Sequence, residues 1–348
     1  MPPSNALPEV HFHPLSGLTV IPQLKPYLPI PIALYRRIQF SHRSAHSYII
    51  STVPPGELPE AGSCFGAAYV DRSRRPETEV WLFISSEVTA LHAAPNGNPT
   101  EKGTCTGCKR VVLAIVQAIS QLPYPPVEGM DKDSKNSPEA HANGYLDHVN
   151  NPKISLFGAT SMEAGTILEE CSLIGYTFPG MEYFYAKYIF EMAKLPPITP
   201  LPPGLHFAPL QLEHCAIVLS RTAIPRQAQT LMLLPSLGVF DKDTLIAWAF
   251  LGTDASLSSL HVEPAFRGKG LAKTLAVRLF REKSSLYNAG EVDGEAYTSL
   301  HCDVAPENHS SNGVCKSLGG QVISHVRWLR IDVTKAQEAI DALPTGTL

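Results

Sequence analysis

Two glycines alternate with two basic residues in the stretch "RGKGLA" at 267–272, between an apolar strand pattern and a helical one. The first turn of a helix presents unpaired N–H groups and a partial positive charge, so it attracts anions. Glycines in front of it let the backbone approach a phosphate without a clash from Cβ. The stretch therefore predicts a phosphate-binding loop, although it matches neither GxxxxGK[ST] nor GxGxxG. On this pattern alone, a plain surface turn remains the alternative.

A second set of polar residues has the chemistry for moving protons. The strand-like segment 297–304 alternates in polarity, which places His301 and Asp303 on one face of the strand. A histidine beside a carboxylate has a pKa suited to general-base work. The alternative is a structural hydrogen-bonded pair. His261, with Glu263 two residues further on, is the second candidate base.

The cysteines are odd in number and scattered, which favours reduced and mostly buried thiols. Only "CTGC" at 105–108 has CxxC spacing, and no second CxxC or HxxxH follows to complete a zinc site. We therefore predict no metal, with a redox or metal role for this segment as the alternative. The seven are Cys64, Cys105, Cys108, Cys171, Cys215, Cys302 and Cys315.

The length, net charge and hydropathy of the chain restrict the class of protein. A chain of 348 residues is too long for one compact core, so two domains are expected. The net charge of −4 argues against a nucleic-acid partner, which would require a basic surface. The first residues have no basic segment followed by an apolar run, and no stretch reaches 18 apolar residues. We therefore expect a cytoplasmic protein without a membrane partner.

A proline-rich stretch divides the chain. "KLPPITPLPPGL" at 194–205 has five prolines in twelve residues, which excludes a helix or a central strand. We predict a domain over 1–193, a semi-rigid linker over 194–204 and a second domain over 205–348. A polar region at 123–144 is interpreted as a long surface insertion.

The elements of the second domain follow from periodicity and turn residues. Apolar runs separated by turn signals predict a three-stranded meander over 237–262, and the spacing of leucine and alanine predicts an amphipathic helix over 271–283. The predicted order is a helix at 212–223, the meander, the helix at 271–283, a strand at 297–304, a helix at 308–318 and a strand at 321–332.

The first domain has a similar order. We predict a hairpin over 65–86, a helix over 108–122, a strand over 153–160 and a helix over 161–175. This order favours an internal duplication with a degenerate first copy. The alternative is that two α+β domains merely share an alternation of elements.

The phosphate-binding loop resembles a known signature. "VEPAFRGKGLA" is similar to that of the GNAT superfamily of CoA-dependent N-acyltransferases, whose [QR]-x-x-G-x-[GA] falls on Arg267, Gly270 and Ala272. Asn308 and Ser311 fit the downstream part of the signature. The stretches "LPSLGVFDKDTLIAWAFL" and "HCDVAPEN" resemble the glycine N-acyltransferase-like branch. The resemblance covers about 205–332 and rests, in the first half, on the order of elements only.

The resemblance implies an α+β fold in which each half is a mostly antiparallel, splayed mixed sheet flanked by helices. It implies an acyl-CoA co-substrate, most simply acetyl-CoA, and direct attack on the thioester by a small amine or amino-acid-like acceptor, without a metal. The pantetheine arm would pair with the strand before the loop. The cofactor-binding residues would be Leu260, His261, Val262, Arg267, Gly268, Lys269, Gly270, Leu271, Ala272, Asn308 and Ser311.

One departure concerns the general acid. Many GNAT enzymes use a tyrosine to protonate the CoA thiolate, and the register from Asn308 places Cys315 at that position. Cys315 would be a thiol acid or a small buried residue, in which case water would serve. "EKGTCTGCKR" at 101–110 lacks the loop spacing, so we expect the first copy to bind no CoA. The alternatives to a small-amine acyltransferase are a pseudoenzyme or CoA-binding module, and an enzyme that acylates a protein amine. We expect a monomer or a homodimer.

Overall fold

The computed structural model describes residues 6–88, 104–127, 146–177, 181–222, 226–289 and 297–343. From residue 128 onwards, the insertion expected at 123–144 lies outside these residues. The described part of the chain has an α+β fold with two sheets flanked by helices, as the resemblance implied. None of its helices combines the length and the apolar character needed to span a bilayer.

The first half contributes six strands and four α-helices that lie wholly within the described residues. The order is β1 (His11–His13), α1 (Ile21–Leu24), α2 (Ile32–Gln39), β2 (Ser47–Ser51), β3 (Gly66–Asp71), β4 (Val80–Ile84), α3 (Thr106–Ser120), β5 (Ile154–Ser161), α4 (Met162–Glu170) and β6 (Tyr185–Glu191).

The second half repeats this order and adds a terminal helix. The order is β7 (Leu205–Ala208), α5 (Cys215–Ser220), α6 (Ala228–Leu233), β8 (Ser236–Asp241), β9 (Thr244–Leu251), β10 (Leu257–Val262), α7 (Leu271–Lys283), β11 (Ser299–Val304), α8 (His309–Ser317), β12 (Gln321–Asp332) and α9 (Ala336–Asp341). The agreement between the halves supports the duplication. Strand β7 and helix α6 were not predicted from the sequence.

The two halves exchange their last strands. The larger sheet has the order β1-β2-β3-β4-β5-β12-β6-β11, and the smaller has β10-β9-β8-β7. Strand β12, from the end of the second half, pairs with β5 of the first half, and β6 of the first half pairs with β11 of the second. The halves therefore share one sheet. The predicted domain boundaries at 193 and 205 remain a prediction.

Helix α7 packs its apolar face against the second half. Leu271, Leu275 and Leu279 are buried, as the spacing of i, i+4 and i+8 requires. Strand β9 lies between α7 on one face and α5 and α6 on the other. Burial on both faces explains why the sequence of β9 is a continuous apolar run, "LIAWAFL", with no alternation.

Buried polar contacts hold the halves together. The Arg36 guanidinium donates to the Tyr287 carbonyl at 2.8 Å. The Trp81 indole N–H donates to the Asp254 carboxylate at 3.3 Å. Asp254 lies in the turn between β9 and β10, so the first half contacts the second half at the start of β10.

Candidate active site

The sheet of the second half is open between β10 and β11. The two strands belong to different sheets, and one isolated parallel bridge, between Ser256 and His301, is the only pairing recorded between them in the described residues. Beyond this bridge, no backbone pairing joins 257–262 to 302–304 among the described residues. The opening lies at the strand before the predicted phosphate-binding loop, with which the resemblance implied that the pantetheine arm would pair.

Strand β10 carries a bulge at the opening. Three steps along β10, from Ser258 to His261, correspond to two steps along β9, from Phe250 to Trp248. Ser259 has a φ of +51°, a left-handed conformation that non-glycine residues seldom adopt. A bulge of this kind leaves one residue out of the ladder. Unpaired backbone N–H groups can therefore face the opening.

The glycine loop leads directly into α7. Gly268 and Gly270 both have a φ of +76°, and a Cβ on either would meet nothing within 4 Å among the described residues. Gly270 is the N-cap and has no side chain with which to occupy the first N–H groups of the helix. The Arg267 Nε donates to the Val262 carbonyl at 2.9 Å, which fixes the loop against the end of β10. The loop therefore presents an accessible, positively charged helix terminus.

His261 stands just after the bulge and is partly accessible. Its ring stacks on Trp248, with ring centroids 4.5 Å apart, and 20% of its side chain is exposed. Its Nε2 lies 3.8 Å from the Glu263 carboxylate, which accepts a hydrogen bond from Arg221 at 3.1 Å. Burial lowers the pKa of His261 below its ordinary value, although Glu263 opposes this shift. The ring is therefore neutral at pH 7 and able to accept a proton.

His301 lies at the apex of the opening and is fully buried. Its Nε2 donates to the Asp254 carbonyl at 2.7 Å, while its Nδ1 has no hydrogen-bond partner among the described residues. Burial and then the Lys187 charge lower the pKa of His301. Asp303 shares its face, as the alternation predicted, but the Asp303 carboxylate is 2.8 Å from the Lys187 ammonium. Each residue of this pair therefore has a partner that the local sequence did not indicate.

Comparison with known families and structures identifies the fold. The family described as acyl-CoA N-acyltransferase verG N-terminal domain matches residues 8–188, just over half of the chain, and the FR47-like protein family matches 236–329. The chain belongs to the acyl-CoA N-acyltransferase family. The first match also extends the family assignment to the half where the sequence resemblance rested only on the order of elements.

Comparison with solved structures finds proteins of similar fold. A Drosophila protein aligns with a TM-score of 0.57 at 14% identity, over 92% of this chain and 98% of its own. A tandem GNAT protein from the clavulanic acid biosynthesis pathway aligns at 10% identity and TM-score 0.45, over 93% and 99% of the two chains. A GCN5-related N-acetyltransferase from Sphaerobacter thermophilus aligns at 11% identity and TM-score 0.45, over 94% and 97%. The comparison with curated proteins finds no match.

Cys315, which the sequence register from Asn308 predicts to lie at the position of the GNAT tyrosine, faces the core. Its Sγ lies 3.2 Å from that of Cys302, and both residues are buried. Asn308, the N-cap of α8, accepts a hydrogen bond from the Ser311 N–H at 3.0 Å. The Tyr188 hydroxyl of the exchanged strand β6 donates to Asn312 of the same helix at 2.9 Å. Sequence reasoning missed Tyr188 because β6 is remote along the chain.

Replacing Cys315 by alanine should change kcat by no more than about 2-fold, because the thiol points at Cys302 and water can protonate a CoA thiolate. Loss of the buried sulfur should lower the free energy of unfolding by about 1 kcal/mol. Steady-state kinetics and chemical denaturation check the two effects. Cys302→Ala is the matched control, since it removes the other sulfur of the same contact. A fall in kcat of more than tenfold for Cys315→Ala alone would assign the thiol a catalytic role.

The first half has an opening of its own. Strands β4 and β5 pair in parallel at Val80 and Phe157, and a cavity of about 350 Å³ lies beside them. Lys187 and Glu87 line this cavity. Glu87 is buried, accepts a hydrogen bond from the Ile84 N–H at 2.9 Å, and burial raises its pKa to about 8. The cavity wall thus holds a carboxyl that is protonated at neutral pH.

Glu87→Gln should make the protein relatively more stable as the pH rises. The pKa of Glu87 is 4.5 in its unperturbed state and about 8 in the folded chain, so its stabilising contribution is present below pH 4.5 and is lost as the pH rises to 8. Glutamine keeps the acceptor for Ile84 without this loss. The difference in Tm between variant and wild type should therefore grow from pH 5 to pH 8.5. The exposed Glu307→Gln is the control; parallel Tm curves for Glu87→Gln and wild type would contradict the assignment.

Other residues at the opening were not found from the sequence. Arg226 donates to the Ser258 hydroxyl at 2.8 Å, and Arg221 reaches Glu263 from the end of α5. Trp248 provides the surface on which His261 stacks. Arg221 lies near the end of the helix predicted at 212–223 and Arg226 lies beyond it, and neither position indicates locally that the side chain reaches β10.

Proposed function

We propose that the second half binds acyl-CoA, most simply acetyl-CoA, in the opening between β10 and β11 and transfers the acyl group to a small amine. The observation that carries this proposal is the juxtaposition of three features: the opening beyond Ser256 and His301, the bulge in β10, and the glycine-led start of α7. Together they provide an anion site, an unpaired strand edge and backbone N–H donors that are adjacent to one another.

The anion site suits the phosphates of CoA. Backbone N–H groups at the start of α7 and the side chains of Arg267 and Lys269 would hold the pyrophosphate. The pantetheine arm, which carries amide groups, would pair with the free edge of β10 over 257–262 as an added strand. An N–H group of the bulge would polarise the thioester carbonyl, which is the oxygen on which charge develops during attack.

His261 is the proposed general base. An amine that attacks the thioester must lose a proton, and the neutral imidazole beside the bulge can accept it while Glu263 stabilises the resulting cation. His301 and Asp303 are the alternative pair. The accessible position of His261 favours it over His301, which is sealed at the apex. The protein otherwise acts by aligning the two reactants, without a covalent intermediate.

The acceptor side carries cationic groups that favour an amine with a carboxylate. Arg221 and Arg226 lie on the same side of β10 as His261, in contact with Glu263 and Ser258 respectively. Guanidinium groups bind carboxylates in a bidentate geometry that fixes their orientation. We therefore infer an amino-acid-like acceptor, whose carboxylate would bind here while its amine faces the thioester.

The proposal is tested by following free thiol while the protein is incubated with acetyl-CoA and a panel of amines. The panel pairs each amino acid with its carboxamide, so that only the acceptor carboxylate changes. We expect thiol release with at least one amino acid and a fall of at least tenfold with its carboxamide. Measurable CoA binding without thiol release across the panel would instead favour a CoA-binding module. Release only with a peptide lysine or N-terminus would move the acceptor to protein.

A further inference from the structure

Three thiols meet at the start of α3. The Sγ atoms of Cys64, Cys105 and Cys108 all lie within 4.8 Å of one another, and those of Cys64 and Cys105 are 3.4 Å apart. Cys64 comes from the connection between β2 and β3, so the fold supplies the third ligand that the local "CTGC" pattern lacks. The sequence alone gave no sign of this convergence, because Cys64 and Cys105 are 41 positions apart in the chain.

The space between these thiols depends on a glycine. A Cβ on Gly107 would lie 2.5 Å from the Cys64 Sγ and 3.9 Å from the Cys105 Sγ, so any side chain there would push the cluster apart. Cys108 is buried beneath the cluster, while Cys64 is exposed. The cluster therefore has a closed floor, an open side facing solvent, and a residue between the ligands that only glycine can supply without a shift.

The start of α3 places the positive end of a helix beside two of the three ligands. Cys105 is the N-cap of α3, a helix of fifteen residues, and Cys108 lies in its first turn. The positive end of a helix stabilises negatively charged sulfur. Zinc binds cysteine thiolates at about 2.3 Å in a tetrahedral arrangement, which places the sulfurs about 3.8 Å apart. The observed separations, 3.4 Å between Cys64 and Cys105 and no more than 4.8 Å for the other two pairs, lie near this spacing, so small side-chain rotations suffice.

We propose that Cys64, Cys105 and Cys108 bind one Zn²⁺ ion, with a water molecule in the fourth position. Three thiols would release three protons and form three Zn–S bonds, with no change in oxidation state. The ion would join the β2–β3 connection to the start of α3. The start of α3 in the first half corresponds to the start of α7 in the second half. In the proposed function, the start of α7 binds the phosphates of CoA. The zinc site does not depend on that function.

The test uses the full-length chain, reduced and stripped of metal, and titrated with Co²⁺ as a spectroscopic probe. We expect one equivalent of Co²⁺ to give thiolate-to-cobalt charge-transfer absorption and the visible bands of a tetrahedral site, and one equivalent of Zn²⁺ to displace it. Cys64→Ser removes an exposed ligand, so the chain should keep its fold and lose these bands. Gly107→Ala should weaken binding at least tenfold.

Two controls separate this cluster from the other thiols. Cys171→Ser changes a partly buried thiol of the same half, and Cys315→Ala removes one member of the close pair with Cys302; both variants should bind Co²⁺ as the wild type does. Absence of a stoichiometric thiolate band, or a band that survives Cys64→Ser, would overturn the proposal. So would a Cys64–Cys105 disulfide that forms in air despite equimolar Zn²⁺, because bound thiolates would be protected.

Discussion

Gly268→Asp should raise the Kd for acyl-CoA at least 100-fold. The loop has room for the new side chain, since a Cβ at Gly268 meets nothing within 4 Å among the described residues. Its carboxylate would then stand where we place the pyrophosphate. Two like charges about 4 Å apart near a protein surface repel by about 4 kcal/mol, and each 1.4 kcal/mol corresponds to a factor of ten in affinity.

Gly56→Asp is the matched control for this substitution. Gly56 also has a positive φ, of +86°, and equally open surroundings, but it lies in the β2–β3 connection, away from the glycine loop. Both variants introduce the same charge and a similar backbone strain, so only the effect on the proposed site differs. Isothermal titration with acetyl-CoA measures it. A Kd for Gly268→Asp within about 3-fold of that for Gly56→Asp would place the phosphates elsewhere.

His261→Gln should lower kcat by about 100-fold or more while the KM for acyl-CoA stays within about 3-fold, because general-base catalysis contributes about 10²–10⁴-fold. Proton acceptance requires neutral imidazole, and the pKa of His261 lies below its ordinary value of 6.5. In the wild type kcat should therefore rise with pH up to that lowered pKa and stay level above it. The variant should lose this inflection.

His206→Gln controls for the loss of a stacked imidazole. His206 stacks on Phe240, with ring centroids 5.7 Å apart, in the same half but on the far edge strand of its sheet. Its replacement should leave both kcat and the pH profile unchanged. If His261→Gln keeps the wild-type kcat and His301→Gln loses the inflection instead, the base is His301.

Local sequence patterns were sufficient to predict the elements whose structure depends on their own residues alone. Helix α7 begins and ends at the predicted residues, 271 and 283, because its apolar spacing is regular and Gly270 provides a left-handed start. Strand β12 likewise covers 321–332 as predicted. Helix α4 is shorter than the predicted 161–175. It ends at Glu170, and Ser172, with a φ of +56°, turns the chain out of the helix.

Long-range partners could not be predicted from local patterns. Strands β6 and β12 are exchanged between the halves, and their own sequences do not specify which neighbour they pair with. Alternation placed His301 and Asp303 on one face, yet Lys187, which binds Asp303, comes from an exchanged strand. The third thiol beside "CTGC" is remote for the same reason. The anion-binding character of the glycine loop could be predicted from the sequence, because the start of the helix, the glycines and the basic residues are contiguous in the chain.

A structure of the protein in complex with acetyl-CoA would locate the cofactor directly. We expect density for the pyrophosphate against the backbone of 267–272, with the pantetheine arm along 257–262 and the sulfur near the bulge after Ser258. It also predicts no CoA at the start of α3. Density for CoA in the opening of the first half, between β4 and β5, with 267–272 vacant, would contradict the assignment of the second half as the acyl-CoA site.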